Sequence, residues 1–401
     1  MPVRLRLPIA IVAALVVAEA AVLLMRPRGL VEPLDVASRA YFSAAQIEKA
    51  EAYRTGQLWL FGARMVIELG VLAFIVAKPP RILLRPRRRQ VLAGAAAAAA
   101  LSVTLTLVTL PVSVASRERS KDVGLVTQSW VGYASDVAKS TAIGALLAGA
   151  GGALLIFGMR RFGRRWWAPA AAVVVGFGVV TTYLTPIVLD PLFNKFTPLP
   201  DGKTRSTVLS LAREAGVDVG QVYVMDASRR TSAANAYVTG IGRSKRVVIY
   251  DNLIKDFTPE ETRLVVAHEL GHAHYHDLRN GLIWVAIVAL PGMWALAELT
   301  RRLGGDASAG ARAVPAVALG IAIVVPVMTM VSNQLSRKVE ARADAFSLEL
   351  TNEPRTFIGF QKRIALQNVS DVDPPAAYQF VFGTHPTTMQ RIGMGEAFEE
   401  R

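Results

Sequence analysis

The segment VVAHELGHAHYHD, Val265 to Asp277, holds four of the chain's five histidines within nine positions. Inside it, His268 and His272 stand four residues apart, with Glu269 beside the first. On a helix this spacing puts both imidazoles on one face, one turn apart, where they can hold a single metal ion. Glu269 is then placed to act as general base toward water. The chain contains no cysteine, so a metal here is held by nitrogen and oxygen, and a disulfide framework is excluded.

The helix that must carry this motif is legible. Thr258-Pro259-Glu260-Glu261 opens it: threonine caps, proline fits the first turn, and Glu261 completes a capping box. Leu264, Val265, Val266 and Ala267 follow, so one side is buried. Gly271 lets a second backbone approach closely. These features separate the motif from two chance histidines on a solvated helix. His274 and His276 read differently. His276 shares the broad face of His272 one turn on, but no acidic partner is defined for either residue. Both suit a polar helix end beside Asp277 and Arg279, with a supporting hydrogen bond to a ligand as the alternative.

A catalytic zinc takes three protein ligands and keeps one position open. Glu298 lies about 40 Å along a helix from His272 by its rise per residue, which is too far. Glu340, in SRKVEARADAFSLEL, follows an apolar hairpin that returns the chain to the same side, so it can meet the histidine helix. Asp344 is one turn beyond on the same face and can orient a ligand histidine through its other ring nitrogen. Read alone, EARAD suits an ordinary amphipathic helix with ion pairs to Arg337, Lys338 and Arg342. The HExxH motif and the topology favour Glu340 as the third ligand. His385, in THPTTMQRI, is a loop residue. It could donate a hydrogen bond to the oxyanion of a tetrahedral intermediate, with Arg391 nearby, although an isolated loop histidine is more often just solvent-exposed.

The elements around these residues are mostly membrane spans. Of 401 residues, 52% are hydrophobic and only 19% charged, with a mean hydropathy of +0.35. The apolar residues fall in blocks long enough to cross about 30 Å of hydrocarbon. Seven are expected: Leu7 to Met25, Gln57 to Ala77, Val91 to Ala115, Thr141 to Met159, Ala168 to Val188, Gly281 to Leu299 and Val314 to Val331. The first follows Arg4 and Arg6 but exceeds a signal-peptide core, and MRPRG is not a cleavage site, so it reads as a retained span. Arg64 and Glu68 inside the second suit a bundle interior or aqueous cavity. The net charge of +14 sits largely in arginine clusters beside the spans, and no aromatic-interleaved basic patch points to nucleic acid. Abundant alanine and an excess of arginine over lysine suit a GC-rich bacterial genome, hence a bacterial plasma membrane.

Between the fifth and sixth spans lie about ninety α/β residues. Thr204 to Ala215 has helical period and ends at Gly216. QVYVMD and RVVIYD read as strands, and ANAYVTG between them as a third at a sheet edge. The expected organisation is a membrane domain over 1–188 with five spans, then a metallopeptidase domain over 189–401 interrupted by spans 281–299 and 314–331.

Five segments together resemble the integral-membrane zinc metalloproteases of the type I CAAX prenyl endopeptidase family, relatives of the bacterial heat-shock membrane proteases. They are DPLFNKFTPLPDG (Asp190 to Gly202), NAYVTGI (Asn235 to Ile241), HELGH, SRKVEARAD (Ser336 to Asp344) and HPTTMQRI (His385 to Ile392). Seven spans fit the prenyl-protease branch better than the shorter heat-shock branch. The resemblance implies a predominantly α-helical polytopic membrane protein whose spans enclose a chamber, capped by a small α+β zincin-like (gluzincin) domain. It implies one zinc held by His268, His272 and Glu340, with Glu269 as base and Asp344 supporting a ligand. It assigns His385 and Arg391 to substrate or intermediate stabilisation, and Asn235, Ala236 and Tyr237 to an edge strand that pairs with extended substrate.

The expected partners are membrane-associated protein or peptide substrates and the lipid bilayer. In a bacterium, prenylated substrates are not expected, so quality control of membrane proteins competes with CAAX-like processing. A non-catalytic sensor or lipid-binding chamber protein is the third reading. The resemblance implies a cytoplasmic catalytic domain, whereas the arginine-dense loops at 78–90, 160–167 and 301–312 pull the other way under the positive-inside rule.

Overall fold

A computed structural model describes residues 3–84, 89–240, 245–306 and 308–401. Ile241 of the NAYVTGI segment and Arg85, Arg87 and Arg88 of the 78–90 loop lie outside the described residues.

Five long helices come first: α1 (Val3–Met25), α2 (Ala44–Ala77), α3 (Gln90–Asp122), α4 (Trp130–Phe162) and α5 (Trp167–Leu184). The soluble segment contributes β1 (Phe196–Pro198), α6 (Lys203–Glu214), β2 (Gln221–Met225), β3 (Ala236–Thr239), β4 (Arg246–Tyr250) and α7 (Pro259–His274). Two more long helices follow, α8 (Asp277–Arg302) and α9 (Ala313–Thr351), and then α10 (Pro354–Gln367), α11 (Ala376–Phe382) and α12 (Thr388–Glu399). Among the described residues seven helices are long and apolar enough to cross a membrane, and they contain the seven expected apolar blocks.

Those blocks mark only the centres of several helices. Helices α2, α3, α4 and α9 run on for further turns as polar extensions. The consequence is largest in α9: its 39 residues span about 58 Å at 1.5 Å per residue. One rigid rod therefore starts at the far membrane face and ends inside the peptidase domain. Between 0% and 33% of each apolar window is buried, as suits helices that face lipid on one side and an open interior on the other. Arg64 Nε donates to Glu68 Oε1 at 2.8 Å. Polar groups also join the spans: Ser116 Oγ donates to Gln57 Oε1 at 2.7 Å, and Tyr53 and Ser120 share a hydrogen bond of 2.8 Å. Such bonds are a main source of helix association where no hydrophobic force acts between spans.

The sheet has the order β1-β2-β4-β3. Strands β2 and β4 are parallel; β1 and β3 are antiparallel additions at either edge. The three expected strands are present, with β3 at an edge. The reading missed β1, whose three residues end in a proline tolerated only where a ladder stops. One sheet face buries Val222, Val247 and Ile249 against Val208 and Leu211 of α6 and Leu264, Val266 and Leu270 of α7. The opposite face is aromatic, with Phe196, Tyr223, Tyr237 and Tyr250. The domain docks on the membrane helices through polar anchors. Arg230 forks onto Asp136 of α4 at 2.8 and 3.1 Å, and Arg54 of α2 pairs with Asp371.

Candidate metal centre and substrate strand

Helix α7 begins as its sequence dictates. Glu261 N–H donates to Thr258 Oγ1 at 3.2 Å, and Thr258 N–H donates to Glu261 Oε2 at 2.8 Å. Leu264, Val266, Ala267 and Leu270 are buried, which turns His268 and His272 toward α9. At Gly271 an added Cβ would lie 3.1 Å from Phe346 and 3.4 Å from the Ala343 backbone. Glycine is what lets α7 and α9 approach closely enough for Glu340 to reach both histidines.

The three side chains converge. The Nε2 atoms of His268 and His272 are 3.2 Å apart. Glu340 Oε2 lies 3.3 Å from His268 Nε2, and Oε1 lies 3.6 Å from His272 Nε2. Among the described residues this is the one group of three such donors whose atoms lie within 4.8 Å of one another. Donors bound tetrahedrally at about 2.0–2.1 Å from zinc stand about 3.3 Å apart, so the spacing fits. Glu340 Oε2 is also buried, with the Nε2 atoms of His268 and His385 at 3.3 and 3.2 Å but in no well-formed hydrogen bond, as a carboxylate oxygen facing a cation would be.

Each imidazole is held from behind by a carboxylate, and each carboxylate by an arginine. His268 Nδ1–H donates to Asp344 Oδ1 at 2.9 Å. Asp344 is completely buried and receives Arg391 Nε at 2.8 Å. His272 Nδ1–H donates to Asp277 Oδ2 at 2.9 Å, and Asp277 pairs with Arg342. Both bonds leave Nε2 as the free nitrogen toward the centre. Burial disfavours a charged His268, but Asp344 and Glu340 outweigh it and raise its pKa to about 10. The same carboxylates strengthen Nε2 as a donor to a metal cation. Burial pushes the Glu269 carboxyl above its usual range, against the nearby His268 and His272, which suits a proton acceptor near neutrality.

The other expected residues fall around this centre. His385 Nε2 comes within 3.2 Å of Glu340 Oε2 from the open side, and Thr384 Oγ1 bonds its Nδ1 at 2.8 Å. The tautomer in which Thr384 Oγ1–H donates to Nδ1 carries its proton on Nε2, facing the centre. Arg391 commits two guanidinium nitrogens to Asp344 and so holds that carboxylate in place. Ala236 and Tyr237 lie in β3, whose outer edge is unpaired in the sheet, and Asn235 precedes them. A cavity of about 930 Å³ opens beside the strand, lined by Asn235, Tyr250, His385 and Arg391 and, across from them, by Tyr53 and Arg54 of α2.

Sequence reading missed Asp277, placing it in a polar helix end. His276 adopts a left-handed backbone, φ 56°, between α7 and α8, and that break folds Asp277 back onto His272. The available signal was an acid five residues beyond the second histidine. His274 turns away: its Nδ1–H donates to the Ala215 carbonyl at 2.8 Å, and its ring lies on Phe346.

The sequence pattern of peptidase family M48 matches residues 198–396. Residues 34–195 match the CAAX prenyl protease N-terminal segment, described as five membrane helices. A Bacillus subtilis protein named uncharacterized metalloprotease YhfN is 30% identical over 300 residues, 73% of this chain and 70% of its own. The chain belongs to peptidase family M48. A probable CAAX prenyl protease 1 from Schizosaccharomyces pombe is 28% identical over 65% of this chain, and a CAAX prenyl protease 1 homolog from Arabidopsis thaliana is 30% identical over 65%. The matches span 56% and 63% of those two proteins. The crystal structure of S. mikatae Ste24p superposes over 99% of both chains with a TM-score of 0.69 at 20% identity, so the fold is shared. This M48 member is a metalloprotease and an integral multi-pass membrane protein.

Proposed function

We propose that the chain is a zinc-dependent endopeptidase that cleaves extended segments of membrane-associated proteins, with CAAX-like C-terminal processing as one form of that activity. The observation that carries the zinc assignment is the donor spacing of His268, His272 and Glu340, backed by the orphaned Glu340 Oε2. Bound zinc would supply Lewis acidity to the scissile carbonyl and acidify water.

The remaining steps belong to the protein. Strand β3 offers its free edge to a substrate strand through main-chain hydrogen bonds, which accept many side chains. Glu269 takes a proton from the attacking water and delivers it to the leaving amine. His385 donates from Nε2–H to the oxygen that gains charge as the carbonyl becomes tetrahedral. Asp344 with Arg391, and Asp277 with Arg342, hold the two imidazoles in the tautomer that offers Nε2. Quality control of membrane proteins suits the same machinery, because strand pairing reads backbone and not sequence.

The test is purified protein assayed for metal and for peptide cleavage. About one zinc per chain is expected, and Glu269→Ala should keep the metal and lose cleavage. A metal-free preparation, or undiminished cleavage by Glu269→Ala, would overturn the proposal. Comparing the membrane proteome of cells carrying wild type or Glu269→Ala names the substrates.

A further inference from the structure

Helix α11 is short, and none of its residues is buried. Phe380, Val381 and Phe382 all keep large exposed apolar side chains, so apolar burial does little to seat the helix. A row of polar side chains on α9 does so instead. Asn333 Nδ2 donates to the Val381 carbonyl at 2.8 Å, and Gln334 Nε2 donates to the Phe380 carbonyl at 3.2 Å. Arg337 Nη1 donates to two carbonyls, those of Gln379 at 2.9 Å and Gly383 at 2.6 Å. Its Nη2 donates to Gln334 Oε1. The last carbonyls of a helix lack partners within it; here a second helix supplies the donors. The sequence alone suits Arg337 to an ion pair with the acids of EARAD, but the structure turns its guanidinium to main-chain oxygen.

The segment that follows α11 gives this grip its consequence. Gly383 stands two residues before His385. The His385 carbonyl accepts Gln379 Nε2 at 2.6 Å, and Thr384 Oγ1 meets its Nδ1 at 2.8 Å. The imidazole itself is open, with 56% of the side chain exposed, so packing does not fix where it stands. Its position is inherited from the main chain of residues 379–385. Arg337 and Glu340 lie three residues apart on α9, close to one helical turn. One continuous helix therefore carries the candidate metal ligand and the guanidinium that holds the loop bringing His385 Nε2 to 3.2 Å from Glu340 Oε2.

We infer that Arg337 is a positioning residue for His385: it grips the Gln379 and Gly383 carbonyls so that the imidazole stands over the centre in register with Glu340. This rests on the reading of His385 as donor to the oxygen of the tetrahedral intermediate. Such a donor works only where that oxygen forms, and a displacement of about 1 Å can cost about 10²-fold in rate. With Nη1 on two carbonyls and Nη2 on Gln334, the plane of the guanidinium is fixed. A lysine ammonium can donate to the same carbonyls but offers no planar fork for Gln334 to lock.

The test is a double-mutant cycle on the full chain in nanodiscs, read with a quenched-fluorescent decapeptide that the wild type cleaves. His385→Ala should lower kcat by about 10²–10³-fold. Arg337→Gln should lower kcat by about tenfold or more with KM changed by less than about twofold, and Arg337→Lys should lose less. In the His385→Ala background neither Arg337 variant should lower kcat further. An equal loss in both backgrounds would make Arg337 a purely structural residue and overturn the inference alone. Undiminished kcat in His385→Ala would overturn the role of His385 and the inference with it, while Glu269→Ala decides the metalloprotease reading separately. A second readout needs no turnover: hydrogen exchange in the metal-free protein should quicken over residues 379–385 in Arg337→Gln and stay unchanged over 259–274. Unchanged exchange at 379–385 would overturn the grip. Should the glutamine variant unfold, Arg337→Lys carries the same cycle and the same exchange comparison.

Discussion

His268 and His272 face one centre and both lean on α9, yet the second helix that completes each clamp differs. The clamp on His268 joins α9 to the C-terminal α12: Asp344, on α9, is completely buried, and Arg391 comes from α12. The clamp on His272 is built from the membrane hairpin. Asp277 is the first residue of α8, and Arg342 sits on α9 two residues past Glu340. Its carboxylate is wetter, with 11% of the Asp277 side chain exposed against none of Asp344, while the arginines are alike at 21% for Arg342 and 18% for Arg391. Similar chemistry thus does two jobs. The inner clamp puts its carboxylate in the core, where an unpaired Asp344 has no water to turn to. The outer clamp ties the centre to α8 through Asp277, so a shift of α8 against α9 is felt at His272 first.

Substitutions can break or sharpen this contrast. The largest effect is expected for Glu340→Ala, which removes the one donor common to both histidines; metal analysis should find the site empty and cleavage undetectable. Asp344→Ala should follow. It removes the fully buried carboxylate that pairs with both His268 and Arg391, which costs about 3 kcal/mol, and it should weaken metal affinity by about 10–100-fold. Chemical denaturation and metal titration measure the two losses separately. Asp277→Asn should lower metal affinity by about tenfold with stability changed by about 1 kcal/mol or less, because Arg342 keeps solvent and the Tyr275 ring, 4.1 Å from its guanidinium carbon. If its stability loss equals that of Asp344→Ala, the two clamps are not different in kind. The smallest effect is expected for His276→Gly, at a left-handed position that glycine accepts readily. Its stability should move by about 1 kcal/mol or less and its metal content should not change; loss of metal would place His276 at the centre.

The legible parts of this protein share one property: their information is local. The seven apolar blocks, the Thr258 capping box, the helical spacing of His268 and His272, and the β-branched and aromatic content of β2 and β4 each concern residues within a few turns of one another. The short edge strand β1 was not legible, since three residues ending in proline carry almost no pattern. Nor was the length of α9, because hydropathy registers where a helix is in lipid and falls silent where the same helix continues in water. Asp277 was missed for a related reason. Its role depends on the reversal at His276, and a histidine gives little warning of a positive φ.

By itself the sequence determined a cysteine-free, multi-span chain with an HExxH helix and a small set of downstream acids and bases able to complete a metal site. Helix period and hydropathy are properties of neighbours along the chain, so they need no fold to be read. Tertiary structure alone decided which partners those residues have. Gly271 lets α9 lie close against α7, and only that approach sets Glu340 beside both imidazoles. The forking of Arg391 onto Asp344 and the return of Asp277 to His272 are contacts across 47 and 5 residues, made by packing and by a break in the helix. No spacing rule in the sequence specifies either one.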